Sequence, residues 1–159
     1  MRDVTIIFPM AENKIFLGRK KRGFGAGKVN GFGGKFRKED ITVEKTALRE
    51  FFEETGASGE EGQLVKVAEI EFYFPEKKSD WNQKAHVYFL YRWEGEMRES
   101  EEMTIEAYSL DRIPYSEMWD TDQHWLPPLI SRKKVKGVFY FNDDCSTTKT
   151  YQLDSAVSF

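Results

Sequence analysis

The sequence predicts a mixed α/β fold, an α/β/α sandwich in which helices cover both faces of a mixed, partly barrel-like β-sheet. Three observations support this fold class. Short runs rich in β-branched and aromatic residues recur along the chain, separated by Gly, Pro and charged turns. Two other segments have helical spacing, one early and one late. The chain has 159 residues, of which 40% are hydrophobic and 15% aromatic. We therefore expect residues 1–159 to form one domain with a sizeable core.

The predicted strands follow from the short apolar runs and the turn residues between them. Gly, Pro and charged clusters separate the runs. Residues 111–119 contain a proline and predict a loop or short helix. The strands are predicted at residues 3–8 and 14–19, as a hairpin across a turn at 9–13, then at 63–74, 84–93 and 103–109, and as a closing hairpin of 138–141 and 147–153.

Two segments predict helices. The early one is expected over Val43–Thr55, because Thr42 is a suitable N-cap and Gly56 lies where a left-handed C-cap is favoured. The later one is expected over residues 122–134, with Asp122 as its cap and an apolar stripe facing the core. These helices supply the outer layers of the predicted sandwich.

The early helix has one apolar arc and one acidic arc. Like charges at this spacing cost a few tenths of a kcal/mol per pair, and only Arg49 offsets them. Carboxylates clustered on a rigid element suit a hard cation such as Mg²⁺, although a plain acidic surface helix remains an alternative. The apolar arc is predicted to contain Leu48, Phe51, Phe52 and Thr55, and the acidic arc Glu50, Glu53 and Glu54.

Residues 23–34 form a glycine-rich loop with six glycines in twelve positions. Such a loop is not regular helix, and it lets backbone amides approach a ligand closely. A flexible surface loop is the alternative. Phe24 and Asn30 favour a binding loop, because an aromatic ring can stack on a base and an amide can pair with a base edge. Phe72 and Phe74 on the following strand are expected in the core or, at a barrel mouth, in a pocket wall.

Charge and cysteine content limit the class of protein. The balance of 24 basic and 27 acidic residues, net charge −3, argues against a nucleic-acid-coating protein or a polybasic membrane binder. The lone Cys145 cannot form an internal disulfide, which favours a reducing compartment. No apolar run approaches membrane-spanning length. We therefore expect a cytoplasmic enzyme, with an unrecognised organelle import signal as the alternative, that forms no stable nucleic-acid complex and no membrane contact. We also expect a monomer that binds a small-molecule substrate.

The run Gly33-Gly34 followed by Arg-Glu-Phe-Phe-Glu-Glu-Thr-Gly resembles the signature of the Nudix hydrolase superfamily, GX5EX7REUXEEXGU with U apolar. Residues 49–57 fit its second half. The first half departs, because Ile41 stands where the family has a Glu and the distance from Gly34 is one residue too long. An insertion near residues 38–40 explains both departures. Glu39 or Asp40 would then take over the early acidic role, which in this family chiefly braces the arginine.

The resemblance implies the Nudix fold and a Mg²⁺-dependent hydrolase, with Mn²⁺ able to replace Mg²⁺. By resemblance, Arg49 would hold Glu53 in register. The general base differs among members of the family, and we assign Glu54, with Glu53 as the alternative. The implied metal site consists of the Gly34 carbonyl, Glu50, Glu53, Glu54 and Glu102, of which Glu53 ligates the metal or orients water.

Residues 20–35 and 118–122 are similar to MutT-type Nudix enzymes that sanitise the nucleotide pool and prevent DNA damage. Those enzymes hydrolyse oxidised purine nucleoside triphosphates, such as 8-oxo-dGTP and 2-hydroxy-dATP, to monophosphate and pyrophosphate. The implied substrate-binding residues are Thr5, Lys20, Phe24, Asn30, Phe72, Phe74, Gln83, Trp119, Asp120, Thr121 and Asp122.

Two positions depart from that pattern. Thr121 stands where one of two adjacent aspartates is expected, unless Asp120 reaches into the pocket, and Gln83 replaces a pocket methionine. The preferred modified base is therefore open. The alternatives are a Nudix hydrolase acting on an RNA 5′ end, a dinucleoside polyphosphate or a pterin triphosphate, or a catalytically silent binding module. A silent module usually lacks acids of the REUXEE segment, and all three are present here.

Overall fold

The computed structural model describes residues 1–159, and at its centre is a mixed sheet of eight strands. The predicted mixed α/β fold class is confirmed. In the order of the sheet, β3-β2-β1-β5-β4-β7-β8, neighbouring strands are hydrogen-bonded, and β6 pairs with β2. The elements are β1 (Arg2–Ala11), β2 (Lys14–Arg19), β3 (Val29–Asn30), α1 (Val43–Thr55), β4 (Leu64–Tyr73), β5 (Gln83–Leu90), β6 (Glu106–Ser109), α2 (Asp122–Ile130), β7 (Val135–Phe141) and β8 (Thr148–Asp154).

Strand β1 is central, and it pairs in parallel with β5 over most of its length. Only Met10 and Ala11 pair with β2, so the predicted hairpin is short. The prediction of a turn over residues 9–13 is wrong, because β1 continues to Ala11. Pro9 and Met10 are both buried, and burial of apolar side chains outweighs the local turn signal of the proline. The turn is completed by Asn13 at φ 56°, a conformation that asparagine tolerates.

Two hydrophobic clusters lie on opposite faces of the sheet. The larger one has 22 buried residues and includes Phe8, Phe139 and the apolar side of α2. The smaller one has 8 buried residues and joins Ile7 and Phe32 to α1. Because side chains alternate along a strand, successive residues of β1 reach the two different clusters. The smaller cluster fixes α1 beside the extended segment 32–35.

Helix α1 has the predicted bounds and caps. The Thr42 hydroxyl accepts a hydrogen bond from the Lys45 amide at 3.2 Å, and Gly56 is left-handed at φ 79°. One side-chain assignment is wrong, since Phe52 is 56% exposed whereas Phe51 is fully buried. The buried arc is rotated toward Glu54, which is only 5% exposed although it was placed on the acidic arc. Packing of Phe51 against Phe32, with ring centroids 6.1 Å apart, accompanies this rotation.

Helix α2 is shorter than predicted and ends at Ile130. Pro127 and Pro128 lack amide donors, so the helix loses hydrogen bonds near its middle, and Arg132 at φ 66° turns the chain toward β7. The predicted cap is also wrong. Thr121 is the N-cap residue and provides no side-chain cap, while the Asp122 carboxylate bonds to other groups described below.

The remaining differences concern element ends. The strand predicted at 84–93 ends at Leu90, and the strand predicted at 103–109 begins at Glu106. The charged loop at 75–83 contains a 3₁₀ helix, Glu76–Trp81. The closing hairpin of β7 and β8 is antiparallel, as expected. None of the helices is both long enough and apolar enough to cross a bilayer.

Candidate active site

Three glutamates converge beside helix α1. Glu50 and Glu54 lie one turn apart on the helix and project to the same side, and Glu102 comes from the acidic loop after β5. The Lys21 amide donates to the Glu102 carbonyl at 2.8 Å, which holds that loop against the end of β2. The nearest carboxylate oxygens of the three residues all lie within 4.8 Å of one another.

The electrostatics of this acid cluster, Glu50, Glu54 and Glu102, favour a bound cation. The pKa of Glu54 is raised to about 8, chiefly by burial and also by the neighbouring Glu50 and Glu102 carboxylates, whereas the hydrogen bond from the Gly33 amide lowers it. Burial also raises the pKa of Glu50. Lys20 is a nearby side-chain cation that acts against this repulsion at Glu54. Closely spaced oxygen ligands fit a hard divalent ion, which would relieve the repulsion between them.

In the extended segment 32–35, the backbone of Gly33 and Gly34 lies directly against the acid cluster. The segment is antiparallel to β1, with bridges Val4–Lys35 and Ile7–Phe32. A side chain on Gly33 would place its Cβ 1.8 Å from the Thr5 carbonyl oxygen. On Gly34 the added atom would lie 2.5 Å from the Glu50 carboxyl carbon. Only glycine permits this contact between backbone and acid cluster.

The prediction that Gly34 offers its carbonyl to the metal disagrees with the geometry. The Gly34 carbonyl accepts the Thr5 amide at 2.9 Å and therefore points toward β1. Adjacent residues of an extended segment point their backbone groups to opposite sides. The Gly33 amide donates to Glu54 Oε1 at 2.8 Å, so the Gly33 carbonyl faces the same side as the acid cluster.

Arg49 connects the acid cluster to Asp40. Its Nε and Nη2 donate to the two oxygens of Asp40, both at 2.8 Å, and its Nη1 donates to Glu50 at 2.9 Å. These bonds hold the pKa of Asp40 well below its usual range. Of the two acids considered for the brace, Asp40 provides it, and exposed Glu39 makes no ion pair with Arg49.

Glu53 lies outside the acid cluster. Its side chain is 42% exposed and accepts hydrogen bonds from Arg49 Nη1 at 3.3 Å. Its position on the helix turns Glu53 toward Arg49 and solvent, so its assignment as a residue that ligates the metal or orients water stays a prediction. The contact with Arg49 does agree with the expected restraint of Glu53.

A cavity of about 460 Å³ opens next to the acid cluster, between the sheet and the beginning of α2. Glu54 and Gly33 border it, so the cavity and the acid cluster form one continuous site. Ten of the eleven expected substrate-binding residues line it, namely Thr5, Lys20, Phe24, Asn30, Phe72, Phe74, Gln83, Trp119, Thr121 and Asp122.

Asp120 is the exception, and its assignment to the substrate is wrong. One of its carboxylate oxygens accepts the Thr148 amide at 2.9 Å, and the other accepts the Gln123 side-chain amide at 3.0 Å. The backbone donor at the start of β8 thus turns this carboxylate away from the cavity. These bonds also lower the pKa of Asp120.

Asp122 supplies a carboxylate inside the cavity and is 2% exposed. Its Oδ1 accepts hydrogen bonds from the Thr121 hydroxyl and the Trp125 indole, both at 3.1 Å. Its buried Oδ2 has no partner in the protein. Burial raises the pKa of Asp122 to about 7. Asn30 adds a donor, because its side-chain oxygen accepts the Gly31 amide at 2.7 Å and leaves the NH₂ group available.

Aromatic rings form much of the remaining cavity wall. Phe24 stacks on Trp119 with centroids 5.4 Å apart and meets Trp81 edge-on at 5.0 Å. Phe74 stacks on Phe141 at 4.6 Å. Flat apolar surfaces of this kind suit a planar ring system. The cavity can therefore hold an aromatic base between ring surfaces and polar groups that contact its edge.

Among the lining residues that were not predicted from the sequence are Arg2, Lys28, Trp81 and Phe141. Trp81 is an isolated aromatic in a charged loop, and that contrast was a usable signal. Phe141 follows the alternation of β7, which also places Phe139 in the core. Neither Lys28 nor Arg2 has a local pattern that separates it from an ordinary surface residue.

Residues 1–129 match the family described as the NUDIX domain. The chain belongs to the Nudix family. Nudix hydrolases depend on a divalent metal ion, in agreement with the donor set of the acid cluster. The resemblance inferred from residues 49–57 is confirmed.

Two relatives resemble this Nudix chain over most of its length. A mouse (Mus musculus) protein named oxidized purine nucleoside triphosphate hydrolase is 39% identical over 161 residues, covering 99% of this chain and 97% of the mouse chain. A Danio rerio protein of the same name is 38% identical over 138 residues, covering 87% and 85% of the two chains.

Two solved structures share the Nudix fold. The MutT protein of Bacillus halodurans has a TM-score of 0.81 and 23% identity, covering 97% of this chain and 98% of that one. A bifunctional NMN adenylyltransferase/ADP ribose pyrophosphatase of Francisella tularensis, complexed with AMP and a manganese ion, has a TM-score of 0.63 and 19% identity. The match covers 82% of this chain and 41% of the Francisella tularensis chain. At these identities the similarity concerns the fold.

Proposed function

We propose that this protein is a Mg²⁺-dependent Nudix pyrophosphohydrolase of oxidised purine nucleoside triphosphates. It would convert substrates such as 8-oxo-dGTP and 2-hydroxy-dATP to monophosphate and pyrophosphate, and so remove them from the nucleotide pool. The observation that carries the proposal is the continuity of two parts of one site. An aromatic-walled cavity with one unpartnered carboxylate oxygen opens onto three clustered glutamates. The two relatives named above support the choice of substrate.

Glu50, Glu54 and Glu102 would hold Mg²⁺, or Mn²⁺ in its place, together with the Gly33 carbonyl. The ion supplies charge neutralisation on the phosphates and alignment of water with phosphorus. Carboxylates within 4.8 Å of one another and a buried Glu54 are the features that support this assignment. Lys20, on the cavity wall, would add a positive charge toward the triphosphate.

The residues around the acid cluster would prepare the attacking water. Glu54 is our choice of general base, because it lies where the cavity and the acid cluster meet. Glu53 is the alternative, because it is partly exposed and Arg49 holds it next to Glu50. In either case Arg49 positions the acids without touching the phosphates, and Asp40 fixes Arg49.

The base would lie in the aromatic part of the cavity. Phe72, Phe74 and Trp119 provide its flat contacts, and Asp122 Oδ2 and the Asn30 amide meet its polar edge. Leaving a buried partner unpaired costs about 1 to 3 kcal/mol, so these groups would discriminate between bases. Thr121 would act indirectly, because its hydroxyl binds Asp122.

We further propose that residues 1–159 act as one Nudix domain, as a monomer in the cytoplasm, on free nucleotides. The net charge of −3 supports action on nucleotides without stable binding to nucleic acid. The single cysteine supports a reducing compartment. Light scattering of the purified protein and fractionation of cells test these two statements.

A panel of modified and normal nucleotides with Mg²⁺, followed by pyrophosphate release, tests the function. We expect kcat/KM for 8-oxo-dGTP or 2-hydroxy-dATP to exceed that for dGTP and dATP at least tenfold. Chelation of the metal should abolish release, and added Mg²⁺ or Mn²⁺ should restore it. Faster cleavage of a capped RNA 5′ end, a dinucleoside polyphosphate or a pterin triphosphate would contradict the substrate assignment. Binding without cleavage of any of these would indicate a silent module.

A further inference from the structure

The first residue of β1 places a guanidinium on the cavity wall. Arg2 is in parallel register with Gln83 of β5, and Gln83 is opposite Phe72 of β4. All three line the cavity. They form one row across the sheet, on the face that α2 covers. Arg2 is therefore part of the same surface as the aromatic base-contacting side chains, although it lies at the beginning of the chain.

The Arg2 side chain has no partner within the protein. Its Nε is buried and makes no hydrogen bond. It takes part in none of the ion pairs, which include Arg19, Arg22, Arg49 and Arg98. Asp80 also lines the cavity but does not form an ion pair with Arg2. An unpaired buried donor costs about 1 to 3 kcal/mol, and more when charged. Arg2 thus does not serve the stability of the unliganded protein.

The neighbouring Gln83 is also incompletely bonded. Its Nε2 donates to the Trp81 carbonyl at 3.3 Å, near the limit for a hydrogen bond, and its side-chain oxygen accepts none. Arg2 and Gln83 therefore form a polar patch in a wall that is otherwise aromatic at this position. They belong to the sheet, whereas Asp122 belongs to α2. A flat ligand between them would meet the two sets of polar groups at different edges.

The position of Arg2 favours the base rather than the phosphates. The acid cluster contacts β1 through Gly33 and Gly34, next to Thr5. Arg2 lies three residues away, roughly 10 Å at the rise of a β-strand. Its row contains Phe72, a ring on which the proposed base would rest. A donor-only guanidinium at that place selects an acceptor atom.

We propose that Arg2 is a nucleotide-binding residue that donates hydrogen bonds to an exocyclic carbonyl oxygen of the purine. This inference rests on the proposed function and adds a specificity-determining residue to the same site. Oxidation gives the base such a carbonyl: at C8 in 8-oxoguanine and at C2 in the keto form of 2-hydroxyadenine. Adenine has none. The contact would therefore favour oxidised purines over dATP in particular.

The test compares Arg2→Gln, Arg2→Lys and a control, Arg112→Gln, which removes an exposed arginine that makes no ion pair. Binding of 8-oxo-deoxyguanosine, which has no phosphates, is followed by quenching of the fluorescence of Trp81 and Trp119. We expect Arg2→Gln to weaken binding about 10- to 100-fold, the range of a hydrogen bond to a charged group. Arg2→Lys keeps the charge without the planar fork and should weaken it less. Arg112→Gln should bind like the wild type.

The kinetic arm separates a binding role from a structural one. For 2-hydroxy-dATP, KM should rise in Arg2→Gln while kcat stays within about threefold, and kcat/KM for dATP should stay unchanged. Thermal stability should be equal or higher, because an unpaired donor is removed. Unchanged nucleoside binding in both Arg2 variants overturns the inference, as does a loss confined to triphosphates. If the wild type does not prefer oxidised purines, the proposed function fails instead.

Discussion

Arg49 and Asp40 form a two-point ion pair in which Nε and Nη2 each lie 2.8 Å from a different carboxylate oxygen. This planar match is stronger and more directional than a single contact. Asp40 also accepts a hydrogen bond from Thr46 at 2.8 Å, so the carboxylate is anchored to α1 at two places. Asp40 is thus the brace for the arginine beside the acid cluster.

Replacing Asp40 with Ala should therefore lower both stability and activity. The substitution leaves the Nε and Nη2 donors of Arg49 without a partner, and we expect a loss of about 2 kcal/mol in the free energy of unfolding. Activity should fall at least tenfold, because Arg49 also holds Glu50 and Glu53. Glu39→Ala is the matched control and should resemble the wild type. Urea denaturation measures the stability and pyrophosphate release measures the activity. If the double variant with both Asp40→Ala and Glu39→Ala were less stable or less active than Asp40→Ala alone, Asp40 would not be the sole brace.

Ile41 adopts φ 72° and is 73% exposed. A β-branched residue in this region is strained by about 1 to 3 kcal/mol, and its side chain recovers little by burial. Ile41→Gly should therefore raise the melting temperature by about 2 to 4 °C, after the entropy of glycine is subtracted. Ile41→Ala keeps the Cβ and hence the strain. Equal melting temperatures of the two variants would show that backbone strain is not the cause.

Glu54→Gln should lower kcat at least 100-fold while the protein stays folded. The substitution removes a charge that the metal and the transition state need, but it keeps the shape of the side chain. Burial disfavours the ionised form of Glu54, so a neutral isostere should not destabilise the fold. Glu53→Gln, outside the acid cluster, should cost less. A larger loss in Glu53→Gln would transfer the role of general base to Glu53.

Asp122→Asn should make stability less dependent on pH. The pKa of Asp122 is about 7 in the folded protein against an ordinary value of 3.8, so the folded state holds the proton more tightly. The contribution of the Asp122 carboxyl to the free energy of unfolding is fully present below about pH 4 and is lost as the pH rises to about 7. Burial is the main cause, and the charge of Lys28 opposes it while that of Asp120 adds to it. Tyr115 also faces this carboxyl, and its pKa is raised by burial and by the charge of Asp122.

The variant should consequently gain stability relative to the wild type as pH rises from 4 to 7, and the gain should level off above 7. Its full size is roughly 4 kcal/mol from the difference in pKa, before any change in packing. Denaturant unfolding at pH 5, 6, 7 and 8 measures it. A gain that is constant with pH would show that Asp122 titrates normally in the folded protein.

The same carboxyl should make base preference depend on pH. The free Oδ2 of Asp122 donates a hydrogen bond when protonated and accepts one when ionised. The ratio of kcat/KM between 8-oxo-dGTP and 2-hydroxy-dATP should therefore change between pH 6 and 8. In Asp122→Asn the ratio should be flat, and KM should rise far more than kcat falls. A ratio that changes equally in both proteins would locate the titrating group elsewhere.

Thr121→Asp restores the second of the two adjacent aspartates that the related enzymes have at this position. Thr121 is fully buried and its hydroxyl donates to Asp122, so a carboxylate there adds a second buried acid beside the first. We expect a higher pKa for the pair and an altered ratio of kcat/KM between the two oxidised substrates, with hydrolysis intact. Kinetics with both substrates at one pH are sufficient. If the ratio of kcat/KM is unchanged in Thr121→Asp and KM is unchanged in Asp122→Asn, then Thr121 and Asp122 do not contribute to base recognition.

Local chemistry explains why α1 was predictable. Its cap residues Thr42 and Gly56 lie next to the helix they terminate, and the acidic residues follow its period. The orientation of Gly33 and Gly34 was not predictable in the same way. It depends on pairing with β1, and a shift of one residue reverses which carbonyl faces the acids.

The other differences between the predicted and the observed side-chain positions depend on residues that are distant in the sequence. The sequence does not say that Thr148, far along the chain, turns the Asp120 carboxylate away from the cavity. It also does not reveal that Arg2 enters the cavity, since that depends on parallel pairing with β5. Phe52 satisfies the helical pattern yet remains exposed, because the sheet covers a narrower arc of α1 than the pattern allows.

The parallel pairing of β1 with β5 has a consequence for the order in which the protein folds. The two strands are separated in the sequence by β2, β3, α1 and β4. Their pairing therefore closes a long loop, and the chain loses the entropy of that loop before the new contacts stabilise it. Helix α1 and the β4–β5 hairpin have local contacts and can form earlier. The floor of the cavity is the β1–β5 ladder, so substrate has no place to bind until it closes. In refolding experiments, recovery of nucleotide hydrolysis should therefore coincide with the slowest structural phase rather than with the return of helix.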